Sequence, residues 1–317
     1  MNTTICPSVI PHDPLCFTHT SFPFYFSPKS RLLNSVSDVT LVVVSPILAY
    51  WSLSLVFHYL DMSGWKWLEK YRIHESSEVT SRNLATRSQV VWAVIFQQVI
   101  QTILALYWMS GESMHSNHSQ ELRRIAAYIQ PPLSWALMGY LSPRVLAHTT
   151  DFIYWWGIPV FQLFVAMFII DTWQYFLHRL MHVNKFLYKQ FHSWHHRLYV
   201  PYAFGSLYNH PVEGFLLDTL GALLAEWASG MSTRQALFLF TMSTFKTVDD
   251  HCGYSLPWDP LQMLTSNNAD YHDIHHQVIG IKSNFSQPFF VHWDALLGTR
   301  MTRKDIEDRR QKISKTQ

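Results

Sequence analysis

Phe152–His196 reads FIYWWGIPVFQLFVAMFIIDTWQYFLHRLMHVNKFLYKQFHSWHH. Its first half, Phe152 to Ile170, is an apolar run rich in Phe and Trp that ends at Asp171. Its second half carries His178-x-x-x-His182 and then His192-x-x-His195-His196. An apolar segment of about 20 residues is what a bilayer crossing needs. The stretch therefore reads as a membrane span leading into a histidine site.

Two further apolar runs lie upstream, Val39 to Leu60 and Ser88 to Met109, with no Lys, Arg, Asp or Glu in either. Two shorter ones, Gly214–Ser229 and Ala236–Val248, flank Gly230 and carry Asp218, Glu226 and Lys246. Each is short for a crossing, so they read as a shallow helical hairpin that dips in and returns. No alternating strand pattern or repeat is evident. The expected class is an all-α polytopic membrane protein whose transmembrane helices carry a cytosolic, histidine-rich helical cap.

Composition agrees. Of 317 residues, 48% are hydrophobic and 15% charged, against about 25% charged in an average soluble domain. The formal charge of +2 gives no basic excess for phosphates, so nucleic acid is not an expected partner. Cys6, Cys16 and Cys252 show no CxxC spacing, which excludes thiolate zinc and iron–sulfur sites in practice. Cys6 and Cys16 read as free thiols in a loose N-terminal segment, with pairing as the alternative in an oxidising lumen. No basic n-region opens the chain, so no cleaved signal peptide is expected.

Orientation follows the basic residues in short loops. Lys66, Lys70, Arg72, Arg82 and Arg87 follow the first span, while only Arg123, Arg124 and Arg144 follow the second. Residues 1–38 and the 110–151 loop are therefore expected in the lumen. The 61–87 loop and everything beyond Asp171 are expected in the cytosol. Asn117-His118-Ser119 is a sequon on the lumenal side, and Asn284-Phe285-Ser286 is another on the cytosolic side.

A second H-x-x-H-H stands at His272, His275 and His276. With 18 histidines in 317 residues, one such motif is already a rare accident and two make accident a poor explanation. Positions i, i+3 and i+4 share a helix face, so each box is expected to form a compact imidazole triad. Eight imidazoles exceed the four ligands of one zinc ion and suit two metal ions. Imidazole favours Zn, Cu, Fe and Ni; open positions point to iron that activates O₂, with zinc left open. His251 and His210 are candidate additional ligands. Asp249, Asp250, Asp273, Glu213 and Asp171 are placed to orient ligand rings through their outer N–H groups. The other eight histidines, among them His58, His74, His115, His118 and His148, read as ordinary.

These boxes resemble those of the membrane-bound fatty acid hydroxylase / sterol desaturase superfamily, over roughly Phe152 to Thr299. Within it, Asp171–His196, Arg197–Asp218, Lys246–Pro260 and Tyr271–Gly298 are similar to fungal sphinganine C4-hydroxylases. The resemblance implies an endoplasmic-reticulum enzyme with two iron ions, O₂, and electrons from NAD(P)H through cytochrome b5 and its reductase. Its implied substrate is a long-chain sphingoid base or dihydroceramide, hydroxylated at C4 to phytosphingosine-type products. It also implies that the eight box histidines are ligands, with His251 and His210 at positions that look like additional ones. The expected organisation is a lumenal N-terminal segment (1–38), a transmembrane helix pair with loops (39–150), a fatty acid hydroxylase domain (151–299) and a basic cytosolic tail (300–317). Competing readings are a desaturase or sterol C4-methyl oxidase of the same superfamily, and a histidine-rich membrane metal-binding or transport protein. A transporter is expected to line its spans with ionisable groups; here the boxes follow the third span.

Overall fold

The computed structural model describes residues 3–5, 17–19, 22–108 and 117–316. Cys6, Cys16 and His115 lie outside them. The chain divides into two compact units. One comprises residues 1–38 and 111–164, the other 39–110 and 165–317.

In the first unit, a short antiparallel ribbon, Thr3–Ile5 against Phe17–His19, is an element the sequence did not foretell. The 110–151 loop contains two helices among its described residues. Asn117 caps the helix His118–Ala136, and Ser142 caps Pro143–Phe152. Such side chains satisfy amide N–H groups that a helix start leaves unbonded. Tyr25 donates its hydroxyl to the Trp155 carbonyl, and His118 Nδ1 lies 2.5 Å from the Tyr154 hydroxyl.

Three helical stretches are long and apolar enough to cross a membrane: Asp38–Ser63, Arg87–Trp108 and Pro143–Val183. Hydrocarbon offers no partner to a free amide, so a lipid-facing segment must close its hydrogen bonds internally. The third stretch contains one widened turn, Ile153–Gly157, before the helix Ile158–Val183. The apolar run gave out at Asp171, but the helix continues through His178 and His182 to Val183. Leu48, Leu55, Val56, Trp92, Phe96, Val99 and Ile103 are exposed on the first two helices, as faces toward lipid require. Their buried faces meet in the second unit. Tyr50 and Phe57 pack with Val90, Val94, Tyr208, Val248 and Tyr254, and Trp51 Nε1 donates to Gln98 Oε1 at 3.0 Å.

Helices form on both sides of Gly230. Leu220–Ser229 stops at Gly230, whose φ of 62° is the left-handed conformation a glycine adopts without a Cβ penalty. Ser232 and Gln235 then cap Thr233–Asp250 reciprocally. This last helix delivers His251 at its C-terminus. The 61–87 loop folds over the same end, with Ile73 N donating to Gly253 O at 2.9 Å and Ser255 N to Tyr71 O at 2.8 Å.

Candidate metal centre

Four short pieces of chain carry the histidines. His178 and His182 sit one turn apart on the long helix, and His272 to His276 lie on Ala269–His276, capped by Asn268. His192 to His196 do not occupy one regular helix: a wide turn, Tyr188–His192, gives way to a tight one, His195–Arg197.

The structure gathers nine imidazoles into two buried groups. His178, His182, His192, His196 and His275 form one; His195, His251, His272 and His276 form the other. Each H-x-x-H-H box is thus divided. The i and i+4 members face one group, and the middle histidine, His195 or His275, crosses to the other. The compact triads expected from helical spacing do not form, because three side chains of one box cannot all reach the same point once a second box packs beside it.

The nitrogen contacts within each group are compatible with a bound cation. His182 Nε2 lies 2.7 Å from His192 Nε2 and 3.2 Å from those of His178 and His196. His192 Nε2 is also 3.0 Å from His178 and 3.1 Å from His196. A ring nitrogen carries at most one proton, so neither atom can donate to three neighbours. In the second group His272 Nε2 lies 2.9 Å from His251 and 3.0 Å from His276. His251 Nδ1 already donates to Thr247 O, and His276 Nδ1 to Leu198 O, both at 2.8 Å. Carbonyls only accept, so both these rings present a bare Nε2 lone pair. The single proton of His272 can satisfy only one of them. His195 Nε2 and His275 Nε2 are buried with no hydrogen-bond partner.

Extra protons are not the remedy. Burial lowers the pKa of His192, His196, His272 and His276 far below the ordinary value, that of His195 to about 4, and those of His251 and His275 to about 3. Neutral imidazoles with converging lone pairs fit two divalent ions of the Zn, Cu, Fe or Ni kind.

The outer ring nitrogens are held mainly by backbone. Phe285 O accepts from His178 Nδ1 at 2.8 Å, Ser283 O from His275 at 2.7 Å and Tyr208 O from His195 at 3.3 Å. Of the five expected carboxylates, Glu213 alone touches one of these rings, His192 Nδ1 at 2.5 Å. Asp171 instead accepts from Phe289 N and Phe290 N, Asp249 from Gln262, and Asp250 from Lys246. Asp273 binds His74 at 2.7 Å and Arg303 at 2.5 Å. Each of these four carboxylates bonds groups other than the nine clustered rings.

His210 joins neither group. It precedes Pro211 and caps the turn Pro211–Gly214, its Nδ1 accepting from Val212 N at 3.2 Å, with its ring against Phe191 and Trp194. Two residues that matter here were not foreseen. Asp294, fully buried, accepts from Phe285 N, Ser286 N, Tyr271 Oη and Thr299 Oγ1, which fixes the segment whose carbonyl holds His178. Asn284 is buried and binds Tyr271 O and Met301 O, so its sequon is closed to a glycan. No spacing rule marks either, because both act on backbone.

The chain belongs to the fatty acid hydroxylase family, whose sequence model matches residues 163–299. It is 47% identical over 310 residues to the sphingolipid C4-hydroxylase SUR2 of Saccharomyces cerevisiae, covering 94% of this chain and 85% of that protein. It is 46% identical over 269 residues to sphinganine C4-monooxygenase 1 of Arabidopsis thaliana, covering 84% and 89%. An Oryza sativa subsp. indica relative named very-long-chain aldehyde decarbonylase GL1-9 is 43% identical over 270 residues, covering 84% and 90%. No solved structure matches the chain.

Proposed function

We infer that the chain is a membrane-bound monooxygenase that hydroxylates C4 of sphinganine or dihydroceramide. The observation that carries this is the pair of adjacent all-imidazole groups built from shared boxes, in a chain nearly half identical to two named C4-hydroxylases. C4 is an unactivated methylene that acid–base groups cannot deprotonate. Two bound iron ions would supply O₂ activation, with electrons from NAD(P)H through cytochrome b5 and its reductase.

The protein's own residues do the positioning. The nine clustered histidines would hold the metals as neutral donors, and Glu213 with the backbone carbonyls fixes their tautomers and ring angles. Burial keeps most of each ring out of bulk water. The apolar residues within 165–176 and 214–248 offer a path for a long alkyl chain entering from the bilayer. Five basic residues between the first two spans support a cytosolic site, and the resemblance to sphinganine C4-hydroxylases implies the endoplasmic-reticulum membrane. The His74–Asp273 contact ties that same loop to the third box.

The test is lipid analysis of cells that lack 4-hydroxylated long-chain bases and express this chain. Appearance of trihydroxy bases supports the reading. A new double bond instead indicates a desaturase, oxidised C4-methyl sterols a sterol oxidase, and an alkane from a long-chain aldehyde the activity named for the rice relative.

A further inference from the structure

A cavity beside the two imidazole groups holds further polar side chains. Its void is about 410 Å³ counting its open mouth. His178 and His192 of one group and His195 of the other line it, together with Ser206, Asn209 and Asp218.

Asp218 has no cationic partner among the described residues. Its Oδ2 receives only long bonds from neutral amides, Gln97 Nε2 at 3.3 Å and Asn209 Nδ2 at 3.4 Å. Removing a carboxylate from water without a cation is costly. Ser206 is 3% exposed and its Oγ has no partner at all. The placement of Gln97 is also specific. It lies 2% exposed on the helix Arg87–Trp108, against Gly214, where a Cβ would come within 2.5 Å of its Cδ. A polar side chain turned inward from a membrane helix, toward a carboxylate that lacks a cation, marks a candidate functional site.

We propose that this cavity seats the 2-amino-1,3-diol headgroup of a free long-chain base, with Asp218 binding the ammonium and Ser206 and Asn209 the hydroxyls. The proposal rests on the C4-hydroxylation reading and names its substrate. In such a base C4 adjoins the C3 carbinol and is two bonds from the carbon bearing the amine. A site that holds the ammonium beside ligand imidazoles therefore holds C4 there too, and the headgroup sets which carbon reacts. Charge-assisted bonds to ammonium are the strong ones. An N-acylated substrate has no charge on nitrogen for Asp218 to bind, so the cavity selects the free base over dihydroceramide.

The experiment uses the full-length protein in detergent. It measures iron per chain, anaerobic binding of radiolabelled sphinganine and of dihydroceramide, and the kinetics of 4-hydroxylation. Asp218→Asn is expected to keep its iron, to weaken sphinganine binding and raise KM by about tenfold or more, and to change kcat far less. Asp218→Glu is expected to recover part of the affinity, and Ser206→Ala to weaken binding by a smaller factor. Sphinganine binding by Asp218→Asn equal to the wild type would overturn the headgroup site. So would loss of iron in that variant, or tighter wild-type binding of dihydroceramide than of sphinganine. Binding that depends on Asp218, with no 4-hydroxylated product from either lipid, would uphold the site and overturn the C4-hydroxylation reading.

Discussion

His195 and His196 adjoin in the chain, yet their rings stand at 86° with centroids 5.7 Å apart and serve different nitrogen groups. Removing either ring should therefore be felt at a different metal. Protein prepared anaerobically is expected to contain about two iron ions per chain, the number two imidazole groups accommodate. His195→Ala and His196→Ala should each approach one. Stoichiometric zinc, with no turnover supported by iron, would favour a binding or transport role.

Glu213 makes a sharper point about support. It is the only carboxylate among the five expected that bonds one of these rings, through His192 Nδ1. Glu213→Gln is expected to lower metal affinity by about 10- to 100-fold. Asp249→Asn, whose nearest donor is Gln262, should leave iron content close to the wild type. Metal titration of the two variants checks this.

Acid should destabilise the metal-free protein in a defined window. His195, His251 and His275 have pKa values of about 4, 3 and 3 when folded, against 6.5 ordinarily. Between those limits the unfolded chain binds more protons than the folded one, so stability falls as pH drops below about 6.5. Above that pH their contribution is complete. Melting temperatures of metal-free protein should be level from pH 8 to 7 and decline steeply toward pH 5. A profile flat across that whole range would mean that these rings are not buried as neutral groups.

The spans and the helices on both sides of Gly230 were legible because lipid leaves a chain few options: a run of apolar residues must become a helix, and Gly230 must end one. The histidines were legible as ligands through their spacing. Their sorting into two groups was not, because it depends on how three boxes pack and on the break in regular helix between His192 and His195. His251 emerged as a member and His210 as a cap for the same reason. Both precede or follow a helix end, and only the tertiary path decides which ring turns inward. The carboxylate roles were mostly illegible. Asp171 and Asp294 bind backbone amides distant in sequence, and no local pattern announces that.

Orientation is open to a direct check. Asn117 is exposed, and a glycosylation tag in the 110–151 loop is expected to be modified, whereas a tag after Thr299 is not. Modification of the C-terminal tag would put the histidine groups in the lumen, away from a cytosolic electron donor, and the cytochrome b5 scheme would fail with it.

The central claim is that the clustered histidines hold the metals that oxidise C4. Its most direct test is the ratio of trihydroxy to dihydroxy long-chain bases in cells carrying each variant as the only copy. His195→Ala and His275→Ala, one from each group, are expected to abolish the trihydroxy product while the protein remains in the membrane. His58→Ala, His148→Ala and His210→Ala, which lie outside both groups, should keep most of it. Near-normal trihydroxy base from His195→Ala or His275→Ala would contradict the two-metal assignment.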